Sequence, residues 1–375
     1  NYQTAVLVNG AVNPTINNMA LVDYCLYGVN FAGVLSTSVA ITQTNIIRTS
    51  YLPGTVGVRA GTANGVDGLL INVCTITGNT QGAFISQSGT PSVFNDITIQ
   101  NSNISNNLQK GLYFEKLNNA LLDNLTMNNN GTDPTYNNNN GIDINLKYSA
   151  YANITIQNCD ITNSGVNGTA TDPEAAAAVT IKARDDAPSY SANPASLTSV
   201  IVANNRITGP KNGIRFGEYG KINNGPSNVT VQENDLSFPF ANKAVIRRTN
   251  NDVYLNCNWH GSTSLPVILA TFAEAGTGST VLSSINLNGT DVSGNAGFQP
   301  AAFSCGCPSG NLVTNMNTPE TFCSIQAAID DSDTEAGDVL VVGPGTYIEN
   351  VIVNKSVIIR GPNYLIDPCS GSRVA

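Results

Sequence analysis

A six-residue frame, apolar at its first and last positions, recurs along the chain at the spacing of a stacked coil. It reads Ile71-Asn-Val-Cys-Thr-Ile76, Ile99-Gln-Asn-Ser-Asn-Ile104, Leu122-Asp-Asn-Leu-Thr-Met127, Ile156-Gln-Asn-Cys-Asp-Ile161, Val202-Ala-Asn-Asn-Arg-Ile207 and Val231-Gln-Glu-Asn-Asp-Leu236. Fainter copies lie at residues 22–27, 41–46 and 255–260. From 71 to 231 the copies start 23 to 46 residues apart, within the range of one solenoid coil. The frame keeps its length while the intervening segments absorb the variation, as surface loops do. Charged residues are only 11% of 375, and Asn is abundant at about 50 residues. Asn and Gly suit the left-handed corners that a coil needs at every turn. Runs of Val, Ile and Thr between those corners read as many short strands.

Within the frame one column holds Cys25, Thr44, Cys74, Ser102, Leu125, Cys159, Asn205, Asn234 and Asn258. Small, apolar or Asn residues at a repeated place predict an inward-facing turn. Asn205, Asn234 and Asn258 are then expected to form an internal amide ladder. The cysteines of the column read as compact buried hydrophobes rather than metal ligands. No CxxC or Cys/His spacing occurs, and there is one His.

A second strand in each coil opens with Gly or Ala, as in Gly111-Leu-Tyr-Phe-Glu, Gly141-Ile-Asp-Ile-Asn, Ala178-Val-Thr-Ile-Lys and Gly213-Ile-Arg-Phe. Alternation with period two places Leu112, Phe114, Ile142, Ile144, Val179, Ile181, Ile214 and Phe216 inside. The same alternation points Tyr113, Glu115, Asp143, Asn145, Thr180, Lys182 and Arg215 outward, with Arg184 and Arg248 close by. In a chain so poor in charge, Tyr113, Glu115, Asp143, Lys182, Arg184 and Arg215 form the candidate polar surface for binding. A surface ion-pair ladder of small energetic worth accounts for the same pattern. A catalytic groove is the alternative, with Glu115, Asp143, Lys182 and Arg215 as its working groups. Glycoside hydrolysis needs two carboxyls about 5–10 Å apart, which Glu115 and Asp143 could supply. Asp185 and Asp186 make a second acidic pair in a loop.

The segment Phe322-Cys-Ser-Ile-Gln-Ala-Ala-Ile-Asp followed by Gly337-Asp-Val-Leu-Val-Val-Gly-Pro-Gly-Thr-Tyr-Ile-Glu-Asn-Val-Ile-Val-Asn-Lys-Ser-Val-Ile-Ile-Arg-Gly361 reads as a short helix and then strands separated by turns. It resembles the opening of right-handed parallel β-helices of the pectin-lyase-like type, found as modules of large bacterial secreted and surface proteins. The resemblance implies an all-β fold, a right-handed parallel β-helix of roughly nine to eleven coils. Pectin-degrading hydrolases of this kind carry Asn-Thr-Asp, Asp-Asp, Gly-His-Gly and Arg-Ile-Lys elements. Gly141-Ile-Asp-Ile is a loose echo of the first, and the Gly-His-Gly is missing. Lyases of this fold use clustered Asp ligands for calcium, and no such cluster stands out. Cys257-Asn-Trp-His-Gly-Ser262 resembles instead the closing element of surface β-helix modules, which implies that Trp259 covers the end of the coil stack with His260 packed beside it.

These readings predict a solenoid over residues 1–300 with a closing element at 257–262, a Gly/Pro/Ser link at 301–310, and the opening of a further module at 311–375, with a helix over 321–331. The order implies one period of a tandem array, or a subunit that assembles head-to-tail with copies of itself. Cys257, Cys305, Cys307, Cys323 and Cys369 fall in the less regular C-terminal third. They are expected to form disulfides in an extracellular setting, with the connectivity open. Cys305 and Cys307 are too close in sequence to pair readily with each other, which favours outside partners.

A net charge of −9 without a basic stripe argues against nucleic acid, and no apolar run reaches the roughly 20 residues of a membrane span. The Asn-rich stretch 128–140 reads as a polar insertion, in which Asp133 is a candidate calcium ligand; no other cofactor is implied. The sequence thus predicts a secreted or cell-surface structural and adhesive module. A polysaccharide lyase or hydrolase is its alternative, with surface polysaccharide as a further partner in either case.

Overall fold

In the computed structural model the chain forms a parallel β-helix whose strands stack in three long sheets. The structure describes residues 3–367 and 369, apart from 169–171, 293, 295, 309–311, 319, 346, 348 and 368. The expected first residue of the solenoid, parts of the link and the end of the last segment therefore lie outside the described residues. No helix among the described residues is long and apolar enough to cross a membrane.

Each coil contributes one strand to a ten-stranded first sheet, then one to a ten-stranded second sheet, and the earlier coils add one to a seven-stranded third sheet. All pairings within these sheets are parallel and connect successive coils, as in Lys110–Phe114 beside Asn140–Leu146 beside Ala177–Ala183. The eight side chains read as inward in the first sheet are all buried. In the second sheet Ile41, Ile71, Ile99, Leu122, Ile156, Val202, Val231 and Leu255 stack in one line. One continuous apolar core runs from Val8 to Ile285.

The six-residue frame is the corner between the second and third sheets. Its third position takes left-handed backbone in every coil, with φ of 50° at Gln43, 56° at Val73, 51° at Asn101, 51° at Asn124, 54° at Asn158, 56° at Asn204, 54° at Glu233 and 51° at Cys257. Asn reaches this region at little cost, which explains its frequency there. The fourth position then turns inward, and there the structure corrects the register of the first coil. The frame copy is 16–21, with Asn18 left-handed, so Met19 holds the column position and Cys25 does not. Cys25 sits half-buried at the opposite corner, before the strand Tyr27–Ala32. That corner also uses a left-handed residue, Asp23 at 53°, and so mimics the spacing.

The Gly or Ala that opens each first-sheet strand is set by close approach. A Cβ at Gly111 would stand 2.6 Å from the Gly141 carbonyl oxygen and 2.7 Å from Met127 Cε. Small residues there let the third sheet pack against the first.

The stack closes over α1 (Leu265–Leu269), Phe272 and Ile285, and a strap at Gly297, Phe298 and Gln299 lies back along the solenoid. In that strap Phe298 N–H donates to Asn204 O at 2.8 Å, and Gln299 Nε2 donates to Asn158 Oδ1 at 3.1 Å. Beyond the link lies a smaller unit with its own core of Val313, Ala328, Ile329, Leu340 and Val342. Its helix, α2, is Ile325–Asp330 rather than 321–331, because Ser324 caps it and Glu320–Phe322 pairs as a strand. The strands Val339–Val342 and Ile358–Arg360 pair in parallel, as successive coils do.

Candidate functional site

The polar column on the outer face of the first sheet is a buried ion-pair network, not the solvent-facing surface expected. Tyr113, Asp143, Thr180 and Arg215 occupy one row of register, and Asn145 and Lys182 the next. They point away from the core, yet Asp143 and Arg215 are each 1% exposed and Lys182 is 4% exposed. The cause is a roof of loops between the strands. Glu174 comes from one loop, Glu218 from another, and Tyr136 and Tyr190 lie over Lys110 and Arg184 respectively.

Asp143 is the hub. Lys110 Nζ lies 2.5 Å from its Oδ2 and Lys182 Nζ lies 3.9 Å from its Oδ1. Burial opposes its charge, but Lys110, Lys182 and Arg215 together hold the carboxyl below the usual range. Burial pushes Lys182 down, partly offset by Asp143 and by Glu218 at 3.0 Å. Glu218 is itself held low against burial by Lys182, Arg184 and Arg215. Arg215 Nη1 donates to Glu174 O at 2.7 Å, while the Glu174 carboxylate pairs with Arg248.

Tyr113 donates to Glu115 Oε1 at 2.8 Å and accepts from Asn145 Nδ2 at 3.0 Å, and Lys147 closes on the same Glu115. Burial, then the charges of Asp143 and Glu115, push the Tyr113 phenol far up, so it stays protonated. Arg184 pairs with Asp186, which Lys221 also holds at 2.6 Å, and Asp185 accepts from Asn223 Nδ2 at 2.7 Å. The second acidic pair is therefore committed to anchoring the roof.

All six residues of the column come together in this network. The sequence reading did not include Lys110, Lys147, Glu174 and Glu218, which complete it. Lys110 directly precedes a strand-opening Gly, and this position was readable. Glu174 and Glu218 come from insertions of unequal length, which carry no periodic signal.

Asn205, Asn234 and Asn258 lie on one line inside the corner, each wholly buried. Asn205 N–H and Nδ2 both donate to Asn234 Oδ1 at 2.9 Å; Asn234 N–H and Nδ2 donate to Asn258 Oδ1 at 3.0 and 2.9 Å. Cys159 N–H meets Asn205 Oδ1, and Cys74 N–H meets Ser102 Oγ, in the same way. A second ladder at the corner between the third and first sheets went unread. There Asn79 N–H donates to Asn107 Oδ1, Asn107 N–H to Asn130 Oδ1 and Asn130 N–H to Ser164 Oγ, each at 3.2 Å. Its members sit three residues after Ile76, Ile104, Met127 and Ile161, a fixed offset that a search would have found.

Trp259 is not over the core. It continues the outer row of the third sheet beside Asp235, with Gly289 against its indole. Position five of the frame faces outward and position six inward, so His260 is the buried member, with its ring against Phe272. Neither His260 nitrogen has a hydrogen bond, and burial pushes it down to about 4. The disulfides are Cys257–Cys305 and Cys307–Cys323, while Cys369, counted among the expected partners, is free and exposed. A cleft of about 690 Å³ separates the last coil from the smaller unit, with Phe272, Leu282, Tyr347 and Ile352 among its lining. No group of three or more His, Cys, Asp or Glu placed to hold a metal is found among the described residues. The Asp133 carboxylate is taken up by Thr135 and Gln109.

No protein-family model matches the chain. No solved structure matches it either. Over 48 residues it is 52% identical to a protein of Methanothermus fervidus described as a cell surface glycoprotein. That stretch is 13% of this chain and 8% of the length of that protein.

Proposed function

We propose that the chain is a structural module of a cell-surface protein, a stiff β-helix stacked in series with like modules. The observation that carries this is the state of its one charged column. Glu115, Asp143 and Glu174 are buried and Glu218 is half-buried, and each is paired with Lys or Arg under loops that the pairs themselves hold down. A hydrolytic site needs an acid and a base that meet both substrate and water. A network of this kind fixes loops instead.

The local identity to a protein named as a cell surface glycoprotein supports the location. The two disulfides support an oxidising compartment. Serial stacking is supported by the parallel step between Val339–Val342 and Ile358–Arg360, where Ile358 and Ile359 are exposed along the strand.

Antibodies against this chain, applied to intact source cells, should label the envelope without permeabilisation. In parallel, the purified chain should release no reducing ends or unsaturated products from pectic or alginate-like polymers. Labelling confined to lysed cells would overturn the location. Product release abolished by Asp143→Ala would overturn the structural reading and make the column an active site.

A further inference from the structure

The insertion between Asn130 and Asn140 contains an arrangement that neither the ion-pair network nor the amide ladders explain. Asn139 is wholly buried beneath it. Its Nδ2 stands 2.6 Å from Asp133 O, 2.8 Å from Tyr136 O and 2.9 Å from Asn167 O. A carboxamide nitrogen carries two hydrogens, so it cannot make three well-directed bonds. The other end of the same amide, Oδ1, is buried and has no donor. One end of the group is oversubscribed with acceptors while the other has nothing to accept.

The crowded end is relieved if the amide is turned by half a turn and a cation sits among the oxygens. The two ends of a carboxamide are alike in size, and the turn exchanges them in place. Oδ1 then joins the three backbone carbonyls, and the mutual repulsion of four oxygens is relieved by a positive charge. We infer that Asn139 Oδ1 and the carbonyls of Asp133, Tyr136 and Asn167 are protein ligands of a hard cation, and that the cation is calcium. Calcium takes six to eight oxygens, backbone and amide carbonyls among them, in flexible geometry, with water filling the remaining positions. Magnesium is disfavoured because it demands near-octahedral geometry and gives up its water reluctantly.

The Asp133 carboxylate is not a ligand in this site. It accepts from Thr135 N–H and hydroxyl at 2.9 and 2.7 Å, which aims its own backbone carbonyl at Asn139. With four neutral oxygens the affinity belongs in the weak range of extracellular modules, about 10⁻⁴–10⁻³ M. The site joins two coils, because Asn167 lies one coil beyond Asp133 and Tyr136; its cation would clamp one loop to the next.

The test uses the full chain with Asn139→Asp and Asn139→Ala. Aspartate cannot donate to carbonyls but is a better calcium ligand, so the two readings of Asn139 diverge at this substitution. The expected result is a wild-type thermal midpoint that rises with millimolar calcium over EDTA and little with magnesium. Asn139→Asp should show a larger calcium shift and at least tenfold tighter binding by calorimetry, and Asn139→Ala none. If the wild type shows neither a calcium shift nor a calcium isotherm, the inference is overturned. It is equally overturned if Asn139→Asp is destabilised to the same extent in calcium and in EDTA, which would leave Asn139 as a hydrogen-bond donor only.

Discussion

At the scale of single residues, the asparagines do two different jobs that one composition figure conceals. Those at the third position of the frame supply left-handed backbone, with Asn101 and Asn124 exposed and Asn158 and Asn204 half-buried. Those at the fourth are buried and satisfy backbone N–H groups that the corner takes out of the sheets. Asn234 accepts from the Asn205 backbone and donates to Val202 O at 2.8 Å, so its loss leaves buried polar groups on both sides. Asn234→Ala should cost about 2–3 kcal/mol in urea unfolding. Asn234→Ser should cost less, because Ser102 already accepts the Cys74 N–H at the matching position. Equal costs for the two variants would remove the ladder as the reason for Asn.

His260 gives the residue scale a pH signature. Its folded pKa, about 4, lies below the ordinary 6.5. The unfolded chain therefore binds more protons than the folded one between those values. The sign is that stability is complete above pH 6.5 and declines as pH falls towards 4, by up to about 3 kcal/mol. His260→Leu should flatten that part of the stability profile; an unchanged slope would show that the decline comes from other groups.

At the scale of elements, the strand-opening glycines set how closely two sheets approach. Gly111→Val places methyl groups where the Gly141 carbonyl and Met127 already stand, and should destabilise by about 1–3 kcal/mol. The same substitution at Gly89, where nothing lies within 4 Å, should be nearly neutral. A comparable loss at both sites would point to backbone entropy rather than packing.

Elements of this kind were legible in sequence because their determinants are periodic. Ile142 and Ile144 had to face one way and Asp143 the other, and the inner line of the second sheet followed from the frame. The candidate column was legible in direction but not in burial. Whether Asp143 meets water is decided by Glu174 and Glu218, which belong to aperiodic insertions. Cys25 was misplaced because both corners of the first coil use a left-handed residue at similar spacing. Trp259 was misplaced because a motif resemblance was followed where the alternation of the frame already pointed that side chain outward.

At the scale of the whole molecule, two separate cores are joined by a link that carries two disulfides in series. Cys257–Cys305 ties the link to a corner of the closing coil, across 48 residues. Cys307–Cys323 ties the same link to the residue before the Ser324 cap of α2, across 16 residues. Only Gly306 stands between Cys305 and Cys307, so the two crosslinks act as one tether from solenoid to smaller unit. Closing loops of these lengths restrains the unfolded chain by about 3–4 kcal/mol each in the chain-entropy picture. Among the described residues the smaller unit's own buried core is five side chains, too few to hold it firmly without that restraint. Breaking the tether should therefore loosen the two parts unequally. In Cys307→Ser/Cys323→Ser, amide exchange should accelerate by at least tenfold across Val313–Asn315 and Val339–Val342. Protection in Asn140–Leu146 and Ala177–Ala183, deep in the solenoid, should be unchanged. Exchange that rises in both regions together would show a single cooperative unit, and unchanged exchange in both would show that the smaller unit stands without its crosslink.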